Sequence, residues 1–209
     1  MNRKSENLFF MLTPIAILIV TQVTAITLGR FLKAFVYIPI ILIYWAVIVL
    51  ILYKYGFDNI RRWLNKPQGH WGWIILAVLL GLSSLPLFIN NIHVFRNSSV
   101  LIPHIAFFLI NPWIEEFYWR GLIIDVTKKW PGWASLLYSS VLFTLWHSAF
   151  AWYSLGVREL SFYIPVLILG IFMVLIYRNT KSLWLCVGSH MLINIFNMGI
   201  PVLMNLVKF

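Results

Sequence analysis

The sequence predicts an all-α membrane protein, a polytopic bundle of about seven (six to eight) transmembrane helices. Three observations carry that prediction. First, 61% of the residues are hydrophobic and 11% charged, against roughly 45–50% and about 25% in soluble domains. A soluble fold of 209 residues cannot bury that much apolar surface. Second, the apolar residues fall in runs long enough to cross a hydrocarbon layer, which takes about 20 residues of helix. Third, the runs lack the strict alternation of a closed β-barrel, the only other structure that pairs every backbone polar group in lipid.

In chain order the runs lie near 8–28, 34–54, 72–92, 100–124, 133–153, 160–177 and 182–206. The first follows Met1-Asn2-Arg3-Lys4. It is too long for the apolar region of a signal peptide and is followed by no small-residue cleavage site, so it is read as an uncleaved span. The connection between Lys54 and His70 carries Arg61, Arg62 and Lys66 beside Trp63, Trp71 and Trp73, a positive loop bordered by an aromatic belt. The last run contains Gly199-Ile200-Pro201, which fits either one long helix or a helix followed by a short re-entrant piece. No linker, low-complexity tract or repeat divides the chain, so residues 1–209 are expected to form a single integral membrane domain.

The net charge of +10 comes from sixteen basic and six acidic residues. A basic balance can signal nucleic-acid binding. Here the basic residues sit between apolar runs, so they are read as topology signals and no nucleic-acid partner is expected. With the N-terminus inside, the inner segments hold Arg3, Lys4, Lys54, Arg61, Arg62, Lys66, Lys128, Lys129, Arg178 and Lys181, ten in all. The outer segments hold five: Arg30, Lys33, Arg96, Arg158 and Lys208. The inequality favours a cytoplasmic N-terminus. The lone cysteine, Cys186, excludes an internal disulfide and the common zinc-finger ligand sets.

Ionisable residues inside a span cost about 2.5–3.5 kcal/mol each at the helix centre, so they persist where they have partners or a task. The fourth run contains Asn111-Pro112-Trp113-Ile114-Glu115-Glu116-Phe117-Tyr118-Trp119-Arg120-Gly121. Glu116 and Arg120 are four apart and share a helix face, the geometry of a favourable ion pair. Glu115 lies about 100° round the helix and is not committed to that arginine. The fifth run carries Phe143-Thr144-Leu145-Trp146-His147, and the seventh places His190 and Asn194 on one face. Polar groups at membrane depth turn toward the bundle interior, which gathers all of these in one cavity. Two chemistries fit. A glutamate assisted by a histidine can activate water while a second histidine and an asparagine hold the oxyanion. Alternatively, Glu115, His147 and His190 can bind zinc as a His₂Glu set, although no His-Glu-x-x-His segment is present.

Each element also has a purely structural reading. Glu116 and Arg120 alone can be a packing ion pair, His147 a satisfied core histidine, and His190 with Asn194 interhelical glue. His104 opens the fourth run and is expected at the headgroups. Cys186 is read as a small buried residue without a base to activate it.

Glu-Glu-x-x-x-Arg, Phe-x-x-x-His and His-x-x-x-Asn, in that order on separate spans, resemble the CPBP family. That family comprises CAAX proteases and bacteriocin-processing enzymes, also called Abi, and includes the Ras-converting endopeptidases. The resemblance covers about residues 100–200, and all three motifs are complete. It implies that Glu115 activates water together with His147, and that His190 and Asn194 hold the oxyanion. It implies further that Glu116 and Arg120 shape the site or position substrate, with Phe143 as the aromatic four before the motif histidine.

The expectation is an intramembrane endopeptidase in a plasma membrane, from a bacterium, cleaving a membrane-associated peptide or protein tail delivered near the inner leaflet. The resemblance offers two substrate types, prenylated CAAX tails and bacteriocin, leader or signalling peptides. No cofactor is expected, with zinc as the alternative. A non-enzymatic scaffold or self-immunity protein of the same fold is the competing class. A proton-coupled carrier is a third class, for which inverted repeats are missing.

Overall fold

The structure, a computed structural model, describes residues 3–207. Met1 and Asn2 before the first predicted span, Lys208 from the outer charge count, and Phe209 lie outside the described residues. Among the described residues every regular element is helical.

Helix α1 (Arg3–Leu32) carries Thr13, Thr21, Thr24 and Thr27, whose hydroxyls donate to the carbonyls of Phe10, Ile17, Val20 and Val23. That satisfies them where water is absent. A tight turn at Lys33–Val36 reverses the chain into α2 (Tyr37–Tyr55). The two helices are antiparallel: the Phe10 ring lies 5.2 Å from Tyr55, and the Lys54 ammonium sits 3.8 Å over Phe9. The continuous apolar stretch Asn7–Tyr55 is therefore a hairpin that makes two passes.

Helix α3 (Phe57–Trp63) follows, then α4 (Gly72–Leu82) and α5 (Leu85–Asn91) with a 3₁₀ turn at Ile92–Arg96. The predicted span 72–92 is thus broken at Ser83-Ser84, just before Pro86. Helix α6 (Ser98–Glu116) starts where the Asn97 side chain accepts from the Ser99 amide at 2.9 Å. It continues through a π-helical turn, Phe117–Leu122, into α7 (Ile123–Val126).

Helix α8 (Gly132–Trp146) is shorter than the predicted span 133–153, because 3₁₀ geometry takes over at His147–Trp152. Helix α9 (Leu160–Thr180) ends on Lys181 in the left-handed region, φ 55°. The predicted span 182–206 divides into α10 (Trp184–Phe196) and α11 (Gly199–Leu203), separated by Met198 at φ 56°. That is the helix-plus-short-piece alternative. At 1.5 Å per residue α8 and α10 reach about 20 Å, less than a hydrocarbon layer, and the turns that follow them complete the passage.

The chain reverses at each connection, so the molecule has two distinct ends. At one end Arg62 pairs with Asp125, which also accepts from the Tyr55 hydroxyl at 3.1 Å and Trp63 Nε1 at 3.0 Å. There the Gln68 amide donates to the Thr180 carbonyl, the Leu183 amide to Trp63, and Arg178 to Gly132. Ten described Lys and Arg residues belong to this basic end: Arg3, Lys4, Lys54, Arg61, Arg62, Lys66, Lys128, Lys129, Arg178 and Lys181. At the opposite end Ser154 bonds the Val202 carbonyl, Asn205 bonds Leu155 and Tyr153, and Gln22 bonds Ser148 and Trp152. Among the described Lys and Arg residues only Arg30, Lys33, Arg96 and Arg158 lie there. Between the ends α10 packs against α4 and α6, α8 against α9, and α2 against α6.

Candidate active site

Glu115 is the last residue but one of α6, three residues after Pro112. Proline supplies no amide to the helix ladder, and the π-helical turn begins two residues beyond Glu115. Departures from α geometry of this kind recur at functional sites because they re-aim side chains. Here both glutamates turn inward, Glu115 1% and Glu116 0% exposed.

Both oxygens of Glu115 are held. The Tyr44 hydroxyl donates to Oε1 at 2.8 Å and Asn111 Nδ2 to Oε2 at 2.7 Å. These donors are themselves fixed: Trp119 Nε1 donates to the Tyr44 oxygen at 2.8 Å, and Trp45 Nε1 to Asn111 Oδ1 at 2.9 Å. The Tyr44 ring stacks on Trp146 with centroids 3.8 Å apart. Four side chains from α2, α6 and the π-turn thus set the orientation of one carboxylate.

Glu116 makes the expected pair with Arg120, Oε1 to Nη1 at 3.1 Å, with both side chains wholly buried. The Arg120 guanidinium also lies 4.1 Å over the Phe143 ring, a cation–π contact strengthened by exclusion of water. The same Glu116 oxygen takes a hydrogen bond from His190 Nδ1 at 2.7 Å. His190 Nε2 then faces Glu115 Oε2 at 3.4 Å. One imidazole therefore bridges the two carboxylates, a connection that helix periodicity in the sequence does not reveal.

His147 Nδ1 lies 2.8 Å from the Phe143 carbonyl. A carbonyl only accepts, so Nδ1 carries the hydrogen and Nε2 is left as an acceptor. Phe143 packs edge-on against His147 at 5.1 Å and His190 at 6.3 Å. Asn194 is 3% exposed, and its Nδ2 has no hydrogen-bond partner. A buried amide donor without a partner is costly in a folded protein.

A cavity of about 570 Å³ joins these groups. Glu115, Phe143, His147, His190 and Asn194 all line it, together with Asn111 and the apolar side chains of Phe107, Trp146, Phe150 and Phe162. Glu116 and Arg120 lie behind the wall and reach the cavity through His190. No hydrogen bond joins Glu115 to His147 among the described residues; they face each other's space rather than each other. Tyr44, Trp45, Asn111 and Trp119 are absent from the sequence-based site. Asn111, four residues before Glu115 on the same helix face, carried the one usable signal. Tyr44 sits in a remote apolar run and carried none.

One expectation changes. His104 is 3% exposed, not at a headgroup surface: its Nε2 lies 3.1 Å from the Ile195 carbonyl and its ring 4.6 Å from Phe95. Glu115, His147 and His190, the set of the zinc alternative, are not brought together as metal ligands in this arrangement. Among the described residues no three His, Cys, Asp or Glu side chains converge as ligands, and both ring nitrogens of His190 are turned to carboxylates. Cys186 is buried as expected, with its thiol toward the Met173 carbonyl.

The helical bundle and its cavity, mostly apolar with a small set of ionisable and amide side chains on its walls, define an intramembrane protein that presents those groups to a guest. Residues 96–196 match the family model described as Rce1-like, Type II CAAX prenyl endopeptidase Rce1-like. That segment includes every residue from Glu115 to Asn194 discussed above, and the match supports a CPBP/CAAX protease family assignment. No curated protein and no solved structure matches the chain. The match supports an intramembrane protease of the CAAX type in general, and the apolar helices suggest a lipid bilayer and a membrane-associated substrate as its setting.

Proposed function

We propose that the protein hydrolyses a peptide bond in a membrane-associated peptide or protein tail, using water activated by Glu115 without a metal. The observation that carries this reading is the arrangement around the cavity. A carboxylate oriented by two donors stands on one wall, a histidine with a free acceptor nitrogen on another, and an unpaired buried amide donor on a third. A scissile carbonyl placed between them meets a base, a proton carrier and an oxyanion donor.

In this reaction Glu115 takes a proton from water as the oxygen attacks the carbonyl carbon. The tetrahedral oxyanion accepts from Asn194 Nδ2, a donor already in place and bound to nothing else. Preorganised donors of this kind contribute most in a water-poor site. His190, held through Nδ1 by Glu116, donates from Nε2 to the oxyanion as the imidazolium, whose charge the two flanking carboxylates balance. Proton return to the leaving amine comes from Glu115, with His147 Nε2 as a relay. Glu116 and Arg120 are positioning residues: they fix His190 and balance charge behind the wall.

The charge asymmetry of the two ends favours a cytoplasmic N-terminus. A bacterial plasma membrane, with maturation of bacteriocin, leader or signalling peptides or with self-immunity, is the cellular setting we favour; a prenylated CAAX tail is the other substrate of the same chemistry. The deciding experiment presents purified protein with a mixed set of membrane-anchored peptides, prenylated and unprenylated. Glu115→Gln and His147→Ala run alongside, each with and without chelator. Cleavage that survives chelation and is lost in both variants is the expected result. Chelator-sensitive cleavage would replace the metal-free mechanism with a zinc one, and a Glu115→Gln protein that keeps its cellular role would leave a scaffold or immunity function.

A further inference from the structure

The cavity is not equally closed on all sides. Toward the basic end it is sealed by Glu116, Arg120 and Cys186, each 0% exposed, with Trp63 at 1% behind them. Among the described residues none from the basic-end connections 56–71, 127–131 or 181–183 lines it. Its lining instead runs toward the opposite end, to Val157, Gly199 and Leu203.

The lining residues that are themselves exposed mark the opening. They are Ser83 and Pro86 at the α4–α5 junction, and Ser161, Pro165 and Ile168 in the first half of α9. These two segments belong to passes that are tied together at the basic end: the Gln68 amide donates to the Thr180 carbonyl, and a Cβ on Gly69 would lie 3.0 Å from the Asn179 carbonyl. The passes therefore meet near the basic end, and their exposed lining residues lie further along, toward the opposite end. The backbone there is also loosened. Helix α4 stops at Ser83, and Pro165 supplies no amide to the carbonyl of Ser161 four residues earlier. Free backbone groups at membrane depth are tolerated where they line a cavity, and an extended peptide is a natural partner for them.

We infer that this gap is the substrate entrance. Its occupant is an extended, largely apolar segment of a membrane-inserted peptide, admitted sideways from the half of the bilayer opposite the basic end. Because ten described basic residues at one end face four at the other, the positive-inside rule puts the entrance in the extracytoplasmic half. The inference rests on the proposed peptidase reading for what enters. It moves substrate delivery from the inner leaflet, where the sequence alone had placed it, to the outer one. The substrates it selects are peptides whose scissile bond lies in the outer half of the membrane.

The test uses the full chain with Cys186→Ala, leaving no native thiol. Single cysteines are placed at Ser161 or Ser83 at the gap and at Lys128 on the basic end. In intact cells an impermeant maleimide is expected to label Ser161→Cys, and Lys128→Cys only after lysis; the reverse pattern overturns the inference. On purified protein in vesicles, a bulky maleimide on Ser83→Cys or Ser161→Cys is expected to slow cleavage of a membrane-anchored peptide at least tenfold, and the same group on Lys128→Cys to leave it unchanged. Unchanged cleavage after modification at both gap positions also overturns it. The labelling result is read without any catalysis, so failure of the entrance and failure of the peptidase reading are separate outcomes.

Discussion

Arg120→Met is the perturbation that the buried charges define most sharply. Wild-type Arg120 gives Glu116 a hydrogen bond at 3.1 Å and lies 4.1 Å over the Phe143 ring, with both charged side chains 0% exposed. Methionine keeps most of the volume and removes the charge. Glu116 would then keep only His190, and its Oε2 already lacks a partner. Leaving one member of a buried pair uncompensated costs about 3–5 kcal/mol. At about 2–4 °C per kcal/mol for a chain of this size, the unfolding midpoint should fall by roughly 6–20 °C. Arg120→Lys keeps the charge but loses the flat face over Phe143, and should cost about 1–2 kcal/mol. Glu116→Gln combined with Arg120→Met removes the orphaned charge, so the pair should fall short of the sum of the singles by about 1–3 kcal/mol. The assay is thermal unfolding of purified protein in one detergent, followed by intrinsic tryptophan fluorescence. An Arg120→Met midpoint within 2 °C of wild type, or strict additivity in the double variant, would refute the argument that these charges compensate each other.

Three further outcomes follow from the same geometry. Asn194→Ala should lower kcat by about 10²–10³ with KM little changed, while the unfolding midpoint stays near wild type because its Nδ2 bonds nothing in the resting protein; a stability loss with kcat intact would make it interhelical glue instead. Tyr44→Phe should cut kcat about tenfold or more, since a hydrogen bond to a charged group contributes about 1.5–3 kcal/mol, with the fold kept by the 3.8 Å stack on Trp146; full activity in a steady-state peptide assay would remove Tyr44 from the orientation of Glu115. Gly121→Ala should destabilise by about 1–3 kcal/mol, because a Cβ there would meet the buried Trp63 ring at 2.7 Å; the companion Trp63→Leu should relieve that clash, and a denaturation midpoint that does not recover would count against it.

Much of this protein was legible from residue order. Lipid leaves few backbone solutions, so apolar run length alone gave the helical class and the alternation of passes. Charge placed at membrane depth is costly enough that Glu115, Glu116, Arg120, His147, His190 and Asn194 stood out without any fold. The Glu116–Arg120 pair needed only the helical repeat, which brings residues four apart together regardless of what surrounds them.

Tertiary structure decided what lies between helices. Run length does not distinguish α from 3₁₀ geometry, so the shortening of α8 at His147 and the breaks at Ser83 and Met198 depended on packing. The bridge from His190 to both glutamates, and the hold of Tyr44 and Asn111 on Glu115, join residues up to 75 positions apart through hydrogen bonds set by helix rotation. Residue order tells which side chains must find partners in lipid; which partners they find, and how the cavity is walled, is settled only when the helices pack against one another.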